Sequence, residues 1–276
     1  MVFRPAIPFG GIAGYNFLQA TLDRQLETFS NSAQIANDRA YLADRFSEPV
    51  GLDDFLSDRR LLRITLTAFG LAGEETKGGL VRRVLESAAD PDDNFLQRIN
   101  NPEYVRFSNF VQVQNGEISL SPSAVSDIAE NFSVQSFQTA VGEVDVDQRL
   151  SLNFQSDISE IFTEGATEET LLFRLLGNVP VRELLETALG LPQEVRQLDI
   201  EQQADIFAER LQSAFGISDV RDLSEPKNVD RVIQRFLAIQ SINNGPSPFT
   251  RGAVALTLLT GVGSSASENL FLSQFL

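Results

Sequence analysis

Apolar residues along most of this chain recur at spacings of three and four, the period of a helix with one buried face. Ile200, Ala204, Phe207, Leu211, Ala214 and Phe215 share one such face. Asp199 stands where a cap is needed, with Gln202 three residues on as in a capping box, and Gly216 marks the stop. Ser224 is placed to cap the next helix, with Pro226 in its first turn. Its stripe is Val229, Val232, Ile233, Phe236, Leu237 and Ile239, with Asp230, Arg231, Gln234 and Arg235 mostly off it. Ser121-Pro122 starts a helix carrying Val125, Ile128, Phe132 and Phe137 towards Gly142. Near the N-terminus Tyr15, Leu18, Leu22 and Phe29 give a helix that packs in the core or against a partner helix.

One stretch departs from this period. Val111 to Leu120 alternates apolar and polar residues about Asn115-Gly116. That pair favours a tight hairpin turn, because both central positions need positive φ. With the turn there, Val113 faces Ile118 and Val111 faces Leu120, all on one side. A lone two-stranded hairpin is marginal in water. Its apolar side therefore packs on the helices or meets another protein, and packing is the favoured reading.

The chain also resembles itself. Residues 55–71 (FLSDRRLLRITLTAFGL) align without gaps on residues 175–191 (LLGNVPVRELLETALGL). Leu56/Leu176, Thr67/Thr187, Ala68/Ala188, Gly70/Gly190 and Leu71/Leu191 match. Each segment reads as a short helix, a break, a second helix and a glycine at a left-handed cap. Asn101-Pro102 and Glu225-Pro226 hold similar places downstream. The fold expected is mainly α and multi-helical, with two quasi-repeated lobes and one hairpin near residues 110–121. The lobes are expected at 1–120 and 121–276, closely packed or forming one domain, since no linker rich in Gly, Ser or Pro marks the join.

Composition narrows the chemistry. The 276 residues include no His, no Cys and no Trp. The commonest general base and the thiolate nucleophile are therefore missing. Zinc would have to be held by carboxylates alone, which suit harder cations. Hydrophobic residues make 42% and charged residues 22%, as in ordinary globular chains. The 21 Phe against 3 Tyr suggest a core of apolar rings. A net charge of −16 repels phosphate backbones and anionic lipid, so no nucleic-acid partner is expected. The longest apolar run, residues 252–263, is too short to span a bilayer, so no membrane insertion is expected. Met1 to Gly14 lacks the pattern of a secretory signal peptide. These features give a soluble protein, cytoplasmic or flagellum-associated once the resemblance below is added.

Each candidate for chemistry has a structural explanation beside it. Asp90-Pro91-Asp92-Asp93-Asn94 lacks the spacing of a calcium loop, and Asp92 or Asp93 serves better as a helix cap. Asp145 and Asp147 form a carboxylate pair, but also sit where acidic groups favour a helix dipole. Gly261-Val-Gly263-Ser-Ser-Ala266 has too few residues after it for a dinucleotide-binding unit. Glu164, Glu168 and Glu169 read as a solvated helix face. Lys77 and Lys227 lie beside helix starts or glycine turns, with no apolar pocket to lower a pKa. No catalytic, metal-binding or cofactor-binding residue is assigned, and no cofactor is expected.

Several ordered stretches carry a resemblance. They are Pro5 to Leu18 (PAIPFGGIAGYNFL), Asp58-Arg-Arg60-Leu-Leu62, Ala68-Phe-Gly-Leu71 and Ala140-Val-Gly142. Arg149 to Phe154 (RLSLNF), Leu189-Gly-Leu-Pro192 and Leu198-Asp-Ile200 complete the set. Together they resemble a bacterial family known as domain of unknown function twelve-seventeen, over nearly the whole chain. The resemblance implies no assigned activity. Family members are often encoded among flagellar genes, which implies a role in building or regulating the flagellum. The family often has Trp where this chain has Tyr15, so that position reads as an aromatic packing site.

The function expected is therefore that of a non-enzymatic helical interaction or structural protein, flagellum-associated, working through protein partners. The alternative is a small-ligand binder or carboxylate-based enzyme. The apolar C-terminal residues Leu270, Phe271, Leu272, Phe275 and Leu276 are expected to dock on the chain's own core or on a neighbour. A homodimer through the chain ends is one such arrangement.

Overall fold

The structure, a computed structural model, describes residues 3–90, 92–99, 101–162 and 165–243. The expected docking of Leu270–Leu276, the apolar run 252–263, the turn at Gly261–Ala266, Glu164 and Pro91 lie outside them. The described residues are mainly helical, as the period predicts. In chain order the helices are α1 (Gly11–Ser30), α2 (Ala33–Arg45), α3 (Leu52–Ser57), α4 (Arg59–Ala68), α5 (Gly78–Ala89), α6 (Phe95–Ile99) and α7 (Pro102–Phe110). They continue with α8 (Pro122–Val144), α9 (Val146–Ile161), α10 (Glu168–Gly177), α11 (Val179–Leu189), α12 (Ile200–Phe215) and α13 (Pro226–Asn243). Three short strands, β1 (Val50–Gly51), β2 (Val113–Gln114) and β3 (Glu117–Ile118), form one antiparallel sheet in the order β1-β3-β2.

The chain divides into two compact units. Unit 1 is Met1–Ala6 with Thr21–Val144, and unit 2 is Ile7–Ala20 with Asp145–Leu276. The expected division near residue 120 is thus displaced to 144/145. The reason is α8, which buries Ile128, Phe132 and Phe137 and packs on α2 and α4 of unit 1. Helix α1 contributes its first turns to unit 2 and its last turns to unit 1.

In unit 1 the hairpin forms as the alternation predicts. Val113 pairs with Ile118, and Asn115 and Gly116 take φ of 53° and 81°. Val111 and Ile118 are fully buried, so its apolar side is packed. The third strand has no signature in the sequence. Val50 pairs with Ile118, and Leu52 then donates its N–H to Gly116 O at 2.9 Å. Phe3, Phe29 and Phe137 stack edge-to-face or tilted within the unit, with centroids 5.4–6.4 Å apart.

Unit 2 has a continuous apolar core drawn from α9 to α13 and from Tyr15 of α1. Phe154, Phe207 and Phe236 are fully buried, and each such ring is worth about 2–3 kcal/mol of burial. Tyr15 is buried with its hydroxyl 3.3 Å from Asp230 Oδ1, so its ring packs as expected while its polar end finds a partner. Gly14 is forced by close approach: a Cβ there would lie 2.0 Å from Phe9 O.

The internal match extends to the helix ends at a constant offset of 120 residues. Asp58 caps α4 by accepting from Leu61 N at 3.0 Å, and Asn178 caps α11 by accepting from Val181 N at 3.1 Å. At the far ends Leu71 N donates to Leu66 O at 2.9 Å and Leu191 N to Glu186 O at 2.8 Å, the closing bond of a Schellman motif. Gly70 and Gly190 supply the left-handed residue, with φ of 78° and 64°. The downstream equivalence differs from expectation. Helix α7, after Asn101-Pro102, packs on α5, whereas α13, after Glu225-Pro226, packs on α11 and α9. The unit 1 helix in that place is α8, because α6, α7 and the hairpin are interposed before it.

Two caps also differ from the sequence reading. Asp199 stands at the N-cap of α12, just before Ile200, but its carboxylate accepts no capping bond. Gln203 turns back instead, donating to Leu198 O at 2.7 Å. Ser224 closes the preceding 3-10 turn by donating to Arg221 O, and the Glu225 carbonyl receives the first N–H groups of α13.

Candidate interaction surfaces

The acidic residues singled out by sequence serve mostly as helix ends. Asp145 accepts from Asp147 N and Gln148 N at the start of α9, at 3.0 and 3.2 Å. Asp93 accepts from Phe95 N at 2.9 Å and pairs with Arg83 at 2.5 Å, while Asp90 accepts from Asp92 N. Glu168 and Glu169 occupy the first turn of α10, which Thr167 caps. Lys77 precedes α5 and pairs with Glu74 at 2.9 Å, and Lys227 sits in the first turn of α13. Among the described residues no group of three or more Asp or Glu is arranged to hold a metal.

Sequence reasoning missed the long-range polar clusters. In unit 2 buried Glu186 receives Arg182 Nε at 2.7 Å and Arg196 Nε at 2.8 Å, and Arg182 also reaches Gln203 at 2.6 Å. Burial pushes the Glu186 carboxyl up, but the two guanidinium groups outweigh it and hold it below the ordinary glutamate range. In unit 1 buried Asp38 binds Arg60 at 2.8 Å and Arg63 at 2.7 Å. Asp58 holds Tyr41 at 2.5 Å and Arg45 at 3.2 Å besides its capped helix. Burial opposes its ionisation, and the Leu61 amide, Tyr41 and Arg45 overcome that. Tyr15 and Tyr104 are both pushed up, by burial first and then by Asp230 and Glu74 respectively. These contacts tie elements together within each unit. Arg182 and Glu186 stand at the i,i+4 spacing of a helical pair, but nothing local announces Arg196, which only the fold sets against Glu186.

Asp147 differs: burial and then the charge of Asp145 raise its carboxyl, while Gln240 donates to it at 3.2 Å. It lies at an end of unit 2 where the starts of α1 and α9 meet the close of α13. Gln148 Nε2 donates to Gly11 O at 2.9 Å, and a Cβ on Gly11 would lie 2.7 Å from Ser241 Oγ. Four apolar side chains stand exposed at this end: Phe9 (54%), Ile12 (36%), Val146 (63%) and Ile242 (79%).

Each unit also carries an open groove. In unit 1 it runs between α2 and α8, measures about 400 Å³, and has Arg39 as its charged residue. In unit 2 it runs between α10 and α12 and measures about 530 Å³. Its floor is apolar, from Leu172, Phe173, Ala204 and Ala208, and its rim carries Glu168, Glu169, Glu201 and Asp205. Among the described residues no helix is long and apolar enough to cross a membrane.

The fold has a solved counterpart. An X-ray crystal structure of a protein from Agrobacterium tumefaciens superposes with a TM-score of 0.67 at 18% identity, covering 88% of this chain and 100% of that one. At that identity the likeness speaks for the fold alone. No curated protein matches the chain. Residues 68–229, from the end of α4 to the start of α13 and more than half of the sequence, match a family described as "Protein of unknown function (DUF1217)", and the chain belongs to that family.

Proposed function

We propose that this protein is a non-enzymatic helical contact protein, associated with the flagellum, which works by binding protein partners. The observation that carries this reading is that four apolar side chains, Phe9, Ile12, Val146 and Ile242, stand exposed at one end of unit 2. Large apolar side chains gathered at one site favour association, because covering them releases ordered water. The side-chain inventory supports the same reading, since imidazole and thiol are absent from the sequence. The flagellar part rests on the genes among which members of the family are often found. A homodimer is the simplest form of such contact. It predicts that the molar mass by light scattering rises from the monomer value with concentration.

The alternative, a small-ligand binder or carboxylate-based enzyme, draws on Asp147, the carboxyl whose affinity for a proton is raised. Chemical crosslinking in the native cell, with identification of the joined proteins, separates the two. Recovery of flagellar components supports the contact reading. Recovery of metabolic enzymes, or none, moves weight to the alternative.

A further inference from the structure

The two units treat one helical seam in opposite ways. In unit 1 the seam between α3 and α5 is crossed by an ion pair, Arg82 to Asp53. At the offset of 120 residues the counterpart of Asp53 is Phe173. At the same offset the counterpart of Arg82 is Gln202. Unit 2 therefore has an aromatic ring and a neutral amide where unit 1 has an anion and the cation that neutralises it. The space left between α10 and α12 is the groove of about 530 Å³. Four carboxylates rim it, from Glu168, Glu169, Glu201 and Asp205. No Lys or Arg among the described residues pairs with them.

We propose that this groove receives a cationic amphipathic helix from a protein partner. The apolar stripe of that helix lies on the floor between α10 and α12, and its Lys or Arg side chains meet the four carboxylates, restoring from outside the cation that Arg82 supplies within unit 1. A helix fits because the floor is the channel between two helices, with Ala204 and Ala208 one turn apart and small enough to admit a ridge of side chains. Opposite charge at the rim sets the register and speeds encounter, while the apolar floor supplies most of the affinity. This inference rests on the contact reading above and specifies a partner chemistry for it.

The test uses the full chain and a synthetic Leu/Lys peptide patterned as an amphipathic helix, with a scrambled peptide of equal composition. Binding is read by fluorescence anisotropy over a range of salt. One variant neutralises the rim (Glu168→Gln, Glu169→Gln, Glu201→Gln and Asp205→Asn). A control neutralises four exposed acids of unit 1 (Glu27→Gln, Glu48→Gln, Asp127→Asn and Glu130→Gln). A third, Ala208→Trp, fills the floor without changing charge. The patterned peptide should bind more tightly than the scrambled one. The rim variant should weaken it about tenfold and the control less than about twofold. Ala208→Trp should weaken it while leaving the melting curve of the chain cooperative. Equal losses in the rim and control variants, or equal binding of the two peptides, overturn the proposal, since both denote general attraction to an acidic protein. A peptide-free dimer that the rim variant dissolves gives the groove to a second copy and also overturns it. If peptide binding fails while crosslinks in the cell still join flagellar proteins, the groove assignment falls and the contact reading stands.

Discussion

Unit 1 and unit 2 share a helix–break–helix core and close it differently. In unit 1, α4 is capped by Asp58, whose carboxylate also takes Tyr41 and Arg45. In unit 2, α11 is capped by Asn178, a neutral side chain whose amide donates to Asp157 at 3.1 Å. Unit 1 covers its core with α6, α7 and a three-stranded sheet. The described residues of unit 2 hold no counterpart of these, and α11 is instead anchored to the segment before α12 through Glu186 and Arg196. The lesson is that helix caps and core positions define the frame, while the ion pairs and interposed elements are where the two copies differ. Surface chemistry can then differ without change in the frame.

The comparison can be broken first at its core. Ile64 and Leu184 occupy equivalent positions at the offset of 120 and are both fully buried. Ile64→Ala and Leu184→Ala should each cost about 2–5 kcal/mol in denaturant unfolding. Hydrogen exchange should show each loss centred on its own unit. A loss spread evenly over both would merge the two units into one cooperative body.

Next comes Glu186. Glu186→Gln should cost about 1–3 kcal/mol at neutral pH, because Arg182 and Arg196 lose their anion. The sign of the pH dependence follows from the lowered carboxyl. The unfolded chain takes up the proton at a higher pH than the folded chain does. The stabilisation is thus present above the ordinary glutamate range, near pH ~4.3, and is lost as pH falls through the folded value. Urea midpoints measured from pH 7 downwards should fall more gently in the variant.

Caps give a smaller contrast. Asp58→Ala should cost about 2 kcal/mol and Asn178→Ala about 1 kcal/mol, since Asp58 holds two further side chains besides its helix. Thermal melting of the two variants checks the order. Equal losses would mean that the ties to Tyr41 and Arg45 contribute no more than the bond from Asn178 to Asp157. Smallest of all should be any difference between Gly70→Ala and Gly190→Ala. Both glycines have positive φ, and each change should cost about 1 kcal/mol. A Cβ on Gly70 would rest 3.6 Å from Glu103, and on Gly190 it would meet nothing within 4 Å, so neither clash adds to the strain.

Much of this frame is legible in the sequence because it is local. A helix face repeats within a few residues, Asn115-Gly116 announces its own turn, and Gly70 and Gly190 sit where left-handed caps are required. Other features depend on distant partners. Strand β1 is two residues long and has no alternation to read. Helix α8 looks like the start of a second lobe from its Ser-Pro entry, but it belongs with α4 because their apolar faces meet. Ser224 and Asp199 have the residue types of caps, yet neighbouring groups take up the helix ends. The groove between α10 and α12 was legible only in part. Glu168 and Glu169 read as a solvated face, while Glu201, Asp205 and the two alanines join them only through the packing of α10 on α12.

The most direct measurement of the contact account is site-resolved photocrosslinking in the native cell. A photoreactive residue is placed in turn at Phe9, Val146 and Ile242, and at Glu27 and Glu130 of unit 1 as references. The account predicts discrete protein adducts from the first three positions, flagellar components among them, and few from the references. Bare chain at all five positions, together with turnover of a small compound by purified protein that Asp147→Asn abolishes, would contradict it.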